Sequence, residues 1–146
     1  MKHVREKKLG WYIAHLYRKG LSTISKELQE FGIGSGQYAF LLQLYRKDGI
    51  SQEELSTLLS VDKATVARAI KKLEEEQLVY RIRDENDKRY YQVFVTEKAL
   101  SIKDDVFCRV NIWEDMLKQN LTKEEEAHML YLLQKMTTNV MKGENN

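Results

Sequence analysis

The stretch SQEELSTLLSVDKATVARAIKKLEEEQLVYRIRDENDKRYYQVFVTEKA, Ser51 to Ala99, decides the fold. It reads as two short helices, a tight turn and a charged hairpin. At about 100° per residue, Val66, Ala69, Ile70 and Leu73 share one face of the second helix, and Ala64, Ala67, Arg68 and Lys71 share the other. Upstream, Ser51 with Glu53 and Glu54 has the form of a helix N-cap followed by an acidic first turn, and Leu55, Leu58 and Leu59 are expected to supply that helix with its buried stripe. Ser60, Val61 and Asp62 make the turn. Asp62 is placed to cap the second helix, and Val61 to pin the turn to the core.

Downstream, Val79 to Asp84 and Tyr90 to Val95 are rich in β-branched and aromatic residues, and the polar run Glu85, Asn86, Asp87, Lys88, Arg89 separates them. The sum is a winged helix-turn-helix. Its outer face has the chemistry of a DNA reader: Ala64 and Ala67 let backbone approach base edges while Arg68 reaches guanine acceptors. Thr65 and Lys71 stand beside Arg68. Lys63, Lys72, Ser51 and Gln37 are residue types that hold phosphate oxygens and set register. Lys88 and Arg89 suit the negative potential of a narrow minor groove. Arg83 is expected to brace the wing. For Asp84 and Asp87 two readings stand: a carboxylate that orients Arg83 or Arg89 by a charge-assisted hydrogen bond, or simple solubility of an exposed hairpin.

These residues resemble the MarR family of bacterial winged-helix transcription regulators. Thr65, Arg68, Leu73, Glu74, Leu78, Val79, Asp87, Lys88, Arg89, Thr96 and Ala99 stand at that family's spacings, as do Gln37 and Tyr38. Residue-level likeness runs from Ser35 to Ala99, and the order of helices is similar over the whole chain. Two positions depart from the pattern. Gln77 stands where the family has a small residue, often Gly, so this helix end must be capped without the residue that best tolerates a left-handed backbone. Val66 replaces a straighter aliphatic residue or Ala and keeps the core face apolar.

Length and composition agree with this reading. The 146 residues suit a single domain, 42% of them are hydrophobic, and none is proline. A net charge of only +2 argues against a non-specific nucleic-acid glue, and leaves a local basic surface as the binding element. The chain contains no run of about 18 apolar residues, and its start, MKHVREKKLGWY, lacks a signal peptide's apolar stretch, so a cytoplasmic protein with no membrane role is expected. Cys108 is the only cysteine, which excludes an intrachain disulfide and a multi-cysteine zinc site; set among Val106, Phe107 and Val110, it is expected to be a buried structural thiol.

Beyond the lobe at residues 35–96, apolar residues recur at helical spacing through Leu9, Tyr12, Ile13, Leu16, Tyr17, Ile24 and Leu28. They recur again through Val106, Val110, Trp113, Met116 and Leu117, and through Met129, Leu130, Leu133, Met136 and Val140. Three such helices exceed what a winged-helix core needs. The expected fold is therefore mainly α (α+β), with dimerisation helices at 1–30 and 97–142 around the lobe. The resemblance implies a two-fold homodimer on double-stranded DNA, with a palindromic operator whose half-site centres are about 10 bp apart or somewhat more. It also implies a small aromatic or anionic effector, for which Trp11, His15 and Tyr38 are candidate lining residues; ordinary packing is the simpler account of all three.

An enzyme is disfavoured. Gly32 to Gly36 resembles a glycine-rich phosphate loop but follows a helix and lacks the Lys-Ser/Thr ending, and it reads better as one helix stop and the next helix start. His3, His15 and His128 are dispersed, with no HExxH, so neither metal nor cofactor is expected. The alternative function is a winged helix used for protein contacts without specific DNA readout.

Overall fold

A computed structural model describes residues 6–144, in two compact units, the first running to Trp113 and the second beginning at Glu114. His3 lies outside the described residues. The helices are α1 (Leu9–Glu27), α2 (Tyr38–Arg46), α3 (Gln52–Leu59), α4 (Lys63–Glu75), α5 (Glu97–Ser101), α6 (Lys103–Lys118) and α7 (Lys123–Gly143); the strands are β1 (Ile50–Ser51), β2 (Val79–Arg83) and β3 (Tyr91–Val95). The three strands form an antiparallel sheet in the order β1-β3-β2. This is a winged helix-turn-helix, mostly helical with one small sheet.

The core of the first unit gathers residues from every part of the lobe. Leu41 and Leu44 of α2, Leu55 of α3, Val66, Ile70 and Leu73 of α4, Leu78 and Val93 are all at most 1% exposed. Each such side chain contributes about 1.5–3 kcal/mol by leaving water. Ile24 and Leu28 from the end of α1, with Ala99 and Val106 beyond the wing, join the same core. The apolar repeat of α1 therefore has two fates. Ile24 is buried, whereas Leu9, Tyr12, Ile13, Leu16 and Tyr17 are 46–69% exposed.

Two expectations about burial are corrected. Leu58 is 49% exposed, because α3 has only eight residues and packs against α2 and α4, a contact that buries Leu55 and leaves Leu58 on the outward side. Cys108 is exposed. Val106 and Val110 carry the inward side of α6, and two positions along from Val106 the helix has turned about 200° away from the core.

Turns follow local chemistry. The 3₁₀ turn Gln29–Phe31 ends at Gly32, whose left-handed φ of 70° is a conformation that residues with a Cβ rarely adopt. A short strand and a separate short helix, β1 and α5, accompany the expected elements. Asp48 Oδ1 accepts a hydrogen bond from the Val95 N–H at 2.9 Å and so holds the chain entering β1 against β3. The Tyr45 hydroxyl donates to the Ala99 carbonyl at 2.6 Å, tying α2 to α5, and burial pushes its pKa up to about 12.

Helix α4 ends as the departure at Gln77 foretold. The Leu78 N–H donates to the Leu73 carbonyl and the Gln77 N–H to the Glu74 carbonyl, both at 2.9 Å, which is a Schellman turn. Gln77 takes a left-handed φ of 59° that a residue with a Cβ adopts at a cost. Replacing Gln77 by Gly is expected to stabilise the fold by about 0.5–1 kcal/mol, read as a higher midpoint in urea or thermal unfolding; an unchanged or lower midpoint would show that the turn is not strained.

Candidate nucleic-acid interface

The candidate surface is built on α4. Asp62 caps it: its Oδ1 accepts the Thr65 N–H at 2.7 Å, and that hydrogen bond, with the Thr65 hydroxyl and the nearby Arg68 charge, holds the carboxyl below the usual range. Ser51 caps α3 in the same way, accepting the Glu54 N–H at 3.0 Å. Between them, Ser60 adopts a left-handed φ of 52°, and the Val61 N–H returns to the Ser56 carbonyl at 3.1 Å. Val61 packs on the core. With both helix starts and the turn fixed, the inner face of α4 is buried and Lys63, Ala64, Ala67, Arg68, Lys71 and Lys72 are exposed. Thr65 is half-buried and its Oγ1 accepts from Arg68 Nη2 at 3.2 Å, so the guanidinium is steadied across one helical turn.

The other expected residues fall in three places. Lys63 and Arg89 share a cleft of about 160 Å³ with Gln52, Glu53, Tyr90 and Tyr91, between the starts of α3 and α4 and the wing. At the wing, Arg89 is fixed by Asp87 in a two-pronged pair, Nε to Oδ1 at 3.0 Å and Nη2 to Oδ2 at 2.7 Å, which lowers the Asp87 pKa. Asp84 Oδ1 accepts the N–H groups of Asn86 and Asp87 at 2.8 and 3.0 Å and shapes the tip. Arg83 donates to the Tyr91 hydroxyl at 2.8 Å instead of to a carboxylate. Lys88 is exposed. Gln37 stands before α2 with its Oε1 accepting from the Gly34 N–H at 3.2 Å, which leaves its amide N–H groups free to donate.

Of the three candidate effector residues, two come together. Trp11 and His15 stack at 4.8 Å between ring centroids, with Lys7 Nζ 3.7 Å over the indole. Tyr38 packs against the core, and burial, followed by the neighbouring Tyr17, raises its pKa. None of the three lines the α4–wing cleft or a shallow groove on α7 bounded by Tyr131, Gln134, Lys135, Thr138 and Asn139. Among the described residues, no three His, Cys, Asp or Glu side chains are arranged to hold a metal, and no helix is long and apolar enough to cross a membrane.

Sequence reasoning overlooked Arg81. Its Nε lies 2.6 Å from Glu74 Oε1 of α4, its Nη1 lies 3.4 Å from Gln52 Oε1 of α3, and its guanidinium sits 4.8 Å over the Tyr91 ring. The signal was present in the alternation of β2: Arg81 is two residues from buried Val79 and pairs with buried Val93, a charged residue on the sheet's core-side face.

A helix-turn-helix with an exposed basic second helix and a basic wing defines a class of transcriptional regulator, and comparison with known proteins agrees. Residues 33–91 match the MarR family. The uncharacterized HTH-type transcriptional regulator YybA of Bacillus subtilis (strain 168) is 31% identical over 123 residues, covering 84% of this chain and 82% of that one. The crystal structure of a MarR transcriptional regulator from Methanosarcina mazei Go1 is 42% identical, covers 92% of this chain and 96% of that one, and superposes with a TM-score of 0.87. A mutant MarR from E. coli, solved in complex with operator DNA, is 29% identical over 88% of this chain and 92% of that one, with a TM-score of 0.79. The chain belongs to the MarR family of transcriptional regulators, which are not enzymes.

The Asp62 cap has a predictable pH dependence. Because the folded pKa is lowered, the cap's contribution is present above the ordinary carboxylate value and is lost as the pH falls through the lowered folded value. Urea unfolding of the wild type and of Asp62→Ala is expected to show a stability gap at neutral pH that closes in acid; a gap independent of pH would show that the charged carboxylate is not what caps α4.

Proposed function

We propose that this regulator reads a specific DNA sequence as a homodimer, acting in the cytoplasm as an effector-responsive repressor on a palindromic operator. The observation that carries the proposal is the outer face of α4: exposed Ala64 and Ala67 make it smooth, and exposed Arg68 and Lys71 make it basic, on a helix whose other side is buried. Arg68 is assigned to base edges in the major groove, with Ala64, Thr65 and Lys71 beside it. Lys63, Lys72, Ser51 and Gln37 hold phosphates, and Lys88 and Arg89 enter the minor groove. Arg83, Asp84 and Asp87 keep the wing in shape.

The dimer is supported by apolar surface on both α1 and α7. Leu9, Tyr12, Leu16 and Tyr17 on the first, and Met129, Leu130, Leu133 and Val140 on the second, are each at least 41% exposed. A monomer rarely leaves so much apolar surface in water, and a second copy of the chain is the economical cover. Two copies related by a two-fold axis present two reading helices, hence a palindrome with half-sites about one helical turn apart. A dimer seated across a promoter blocks polymerase without a dedicated activating surface, which favours repression. A small aromatic or anionic molecule bound near Trp11, His15 and Tyr38 would shift the dimer between forms that do and do not match the groove spacing.

Two experiments test this. Leu130→Glu combined with Leu133→Glu is expected to give a folded monomer in sedimentation with weakened DNA binding; an unchanged dimer would remove α7 from the interface. Selection of bound duplexes from a random pool is expected to return a palindrome, for which Arg68→Ala loses about 1–3 kcal/mol and relaxes one position per half-site. Recovery of no preferred sequence would favour the protein-interaction module instead.

A further inference from the structure

We infer that Arg81 is a positioning residue that sets where the wing stands relative to the reading helix, without itself touching DNA. This rests on the DNA contacts proposed above for Arg68 and Arg89. Arg81 belongs to β2, the strand that leads into the wing, and two of its guanidinium nitrogens, Nε and Nη1, are turned toward other parts of the lobe. Nε lies 2.6 Å from Glu74 Oε1, in the last turn of α4, and Nη1 lies 3.4 Å from Gln52 Oε1 in the first turn of α3. The flat guanidinium also covers the Tyr91 ring, where the Arg83 guanidinium is centred 5.3 Å away and donates to the hydroxyl of that same ring. One side chain thus joins the reading helix, the helix before it and both strands of the wing.

The join is specific because of Glu74. The Glu74 side chain is 30% exposed, but its Oε1 is shielded from water and accepts no hydrogen bond of good angle, so the Arg81 charge is that oxygen's sole compensation among the described residues. An oxygen closed off from water cannot replace a lost cation with solvent, which favours the placement of β2 that brings Arg81 to Glu74. Lysine does not replace this link: one ammonium has neither the fork that reaches Glu74 and Gln52 together nor the plane that stacks on Tyr91. Placement matters because Lys88 and Arg89 extend from the far end of the hairpin, where a small rotation at β2 becomes a displacement larger than a hydrogen bond tolerates. The remaining contacts of the hairpin do not replace it. Asp84 and Asp87 bind within the tip and Arg83 binds across the hairpin, so none of them refers the wing to α4.

A double-mutant cycle on DNA affinity separates positioning from bulk stability. In the wild-type full chain, Arg89→Ala is expected to weaken binding to the selected duplex about tenfold. In an Arg81→Met background the same change is expected to cost less than about twofold, because the wing is no longer held at the groove, while Arg68→Ala costs as much as before. If Arg81→Met alone is poorly folded, Glu74→Met combined with Arg81→Met removes both charges together and serves as the background. Arg81→Lys is expected to behave like Arg81→Met in the cycle. Equal losses from Arg89→Ala in both backgrounds, with the protein folded, would overturn the positioning role and leave Arg81 as a stabilising residue only. No loss from Arg89→Ala in the wild type would instead overturn the wing's contact with DNA, and the positioning role with it.

Discussion

Burial of one side of α4 is the constraint on which the rest of the lobe depends. Val66, Ala69, Ile70 and Leu73 lie in the core at 3% exposure or less, and a helix rotated about its axis to bury four such residues has no freedom left for the opposite face. Arg68 and Lys71 point outward because Ile70 points inward. The caps add a second restraint. Asp62 fixes where the helix starts and the Schellman turn at Leu78 fixes where it stops, so the length of the exposed basic surface and its rotation are both set by groups outside that surface.

The wing is held by a different kind of force. Its strands bury Val79, Val93 and Val95, but Tyr80, Arg81, Ile82 and Arg83 remain exposed and the tip is made of polar residues. Hydrophobic burial therefore places the root of the hairpin and leaves its outer half to directional contacts. Asp87 fixes Arg89, Asp84 closes the turn, and Arg81 ties β2 to α4. A structure that must meet a polyanion benefits from this division, because each polar contact keeps cationic groups at the surface without needing apolar area around them.

The apolar repeats outside the lobe fall into two groups. The end of α1 and the start of α6 are spent on the lobe's own core through Ile24, Leu28, Val106 and Val110. By contrast, the first half of α1 and all of α7 keep theirs in water; no residue of α7 is buried. Helical periodicity is the same in both cases, and it does not say which apolar faces a core will cover. The same limit explains Leu58 and Cys108, which have apolar neighbours in sequence but not the core in space.

Much of the lobe was legible in the sequence for local reasons. A capping residue acts on an N–H three positions away, a 3.6-residue period declares which side of a helix is apolar, and two alternating runs around a polar tip declare a hairpin. These interactions span a few residues, so the order of symbols contains them; Ser51, Asp62, the stripe of α4 and the departure at Gln77 were all of this kind. Tertiary structure alone decided what depends on packing between distant segments: the strand β1 beside β3, the outward turn of Leu58 and Cys108, and the meeting of Arg81 with Glu74, Gln52 and Tyr91. An arginine in a strand carries the same letter whether it faces water or a glutamate of a neighbouring helix. Its role is set by the fold that brings that carboxylate to within 2.6 Å.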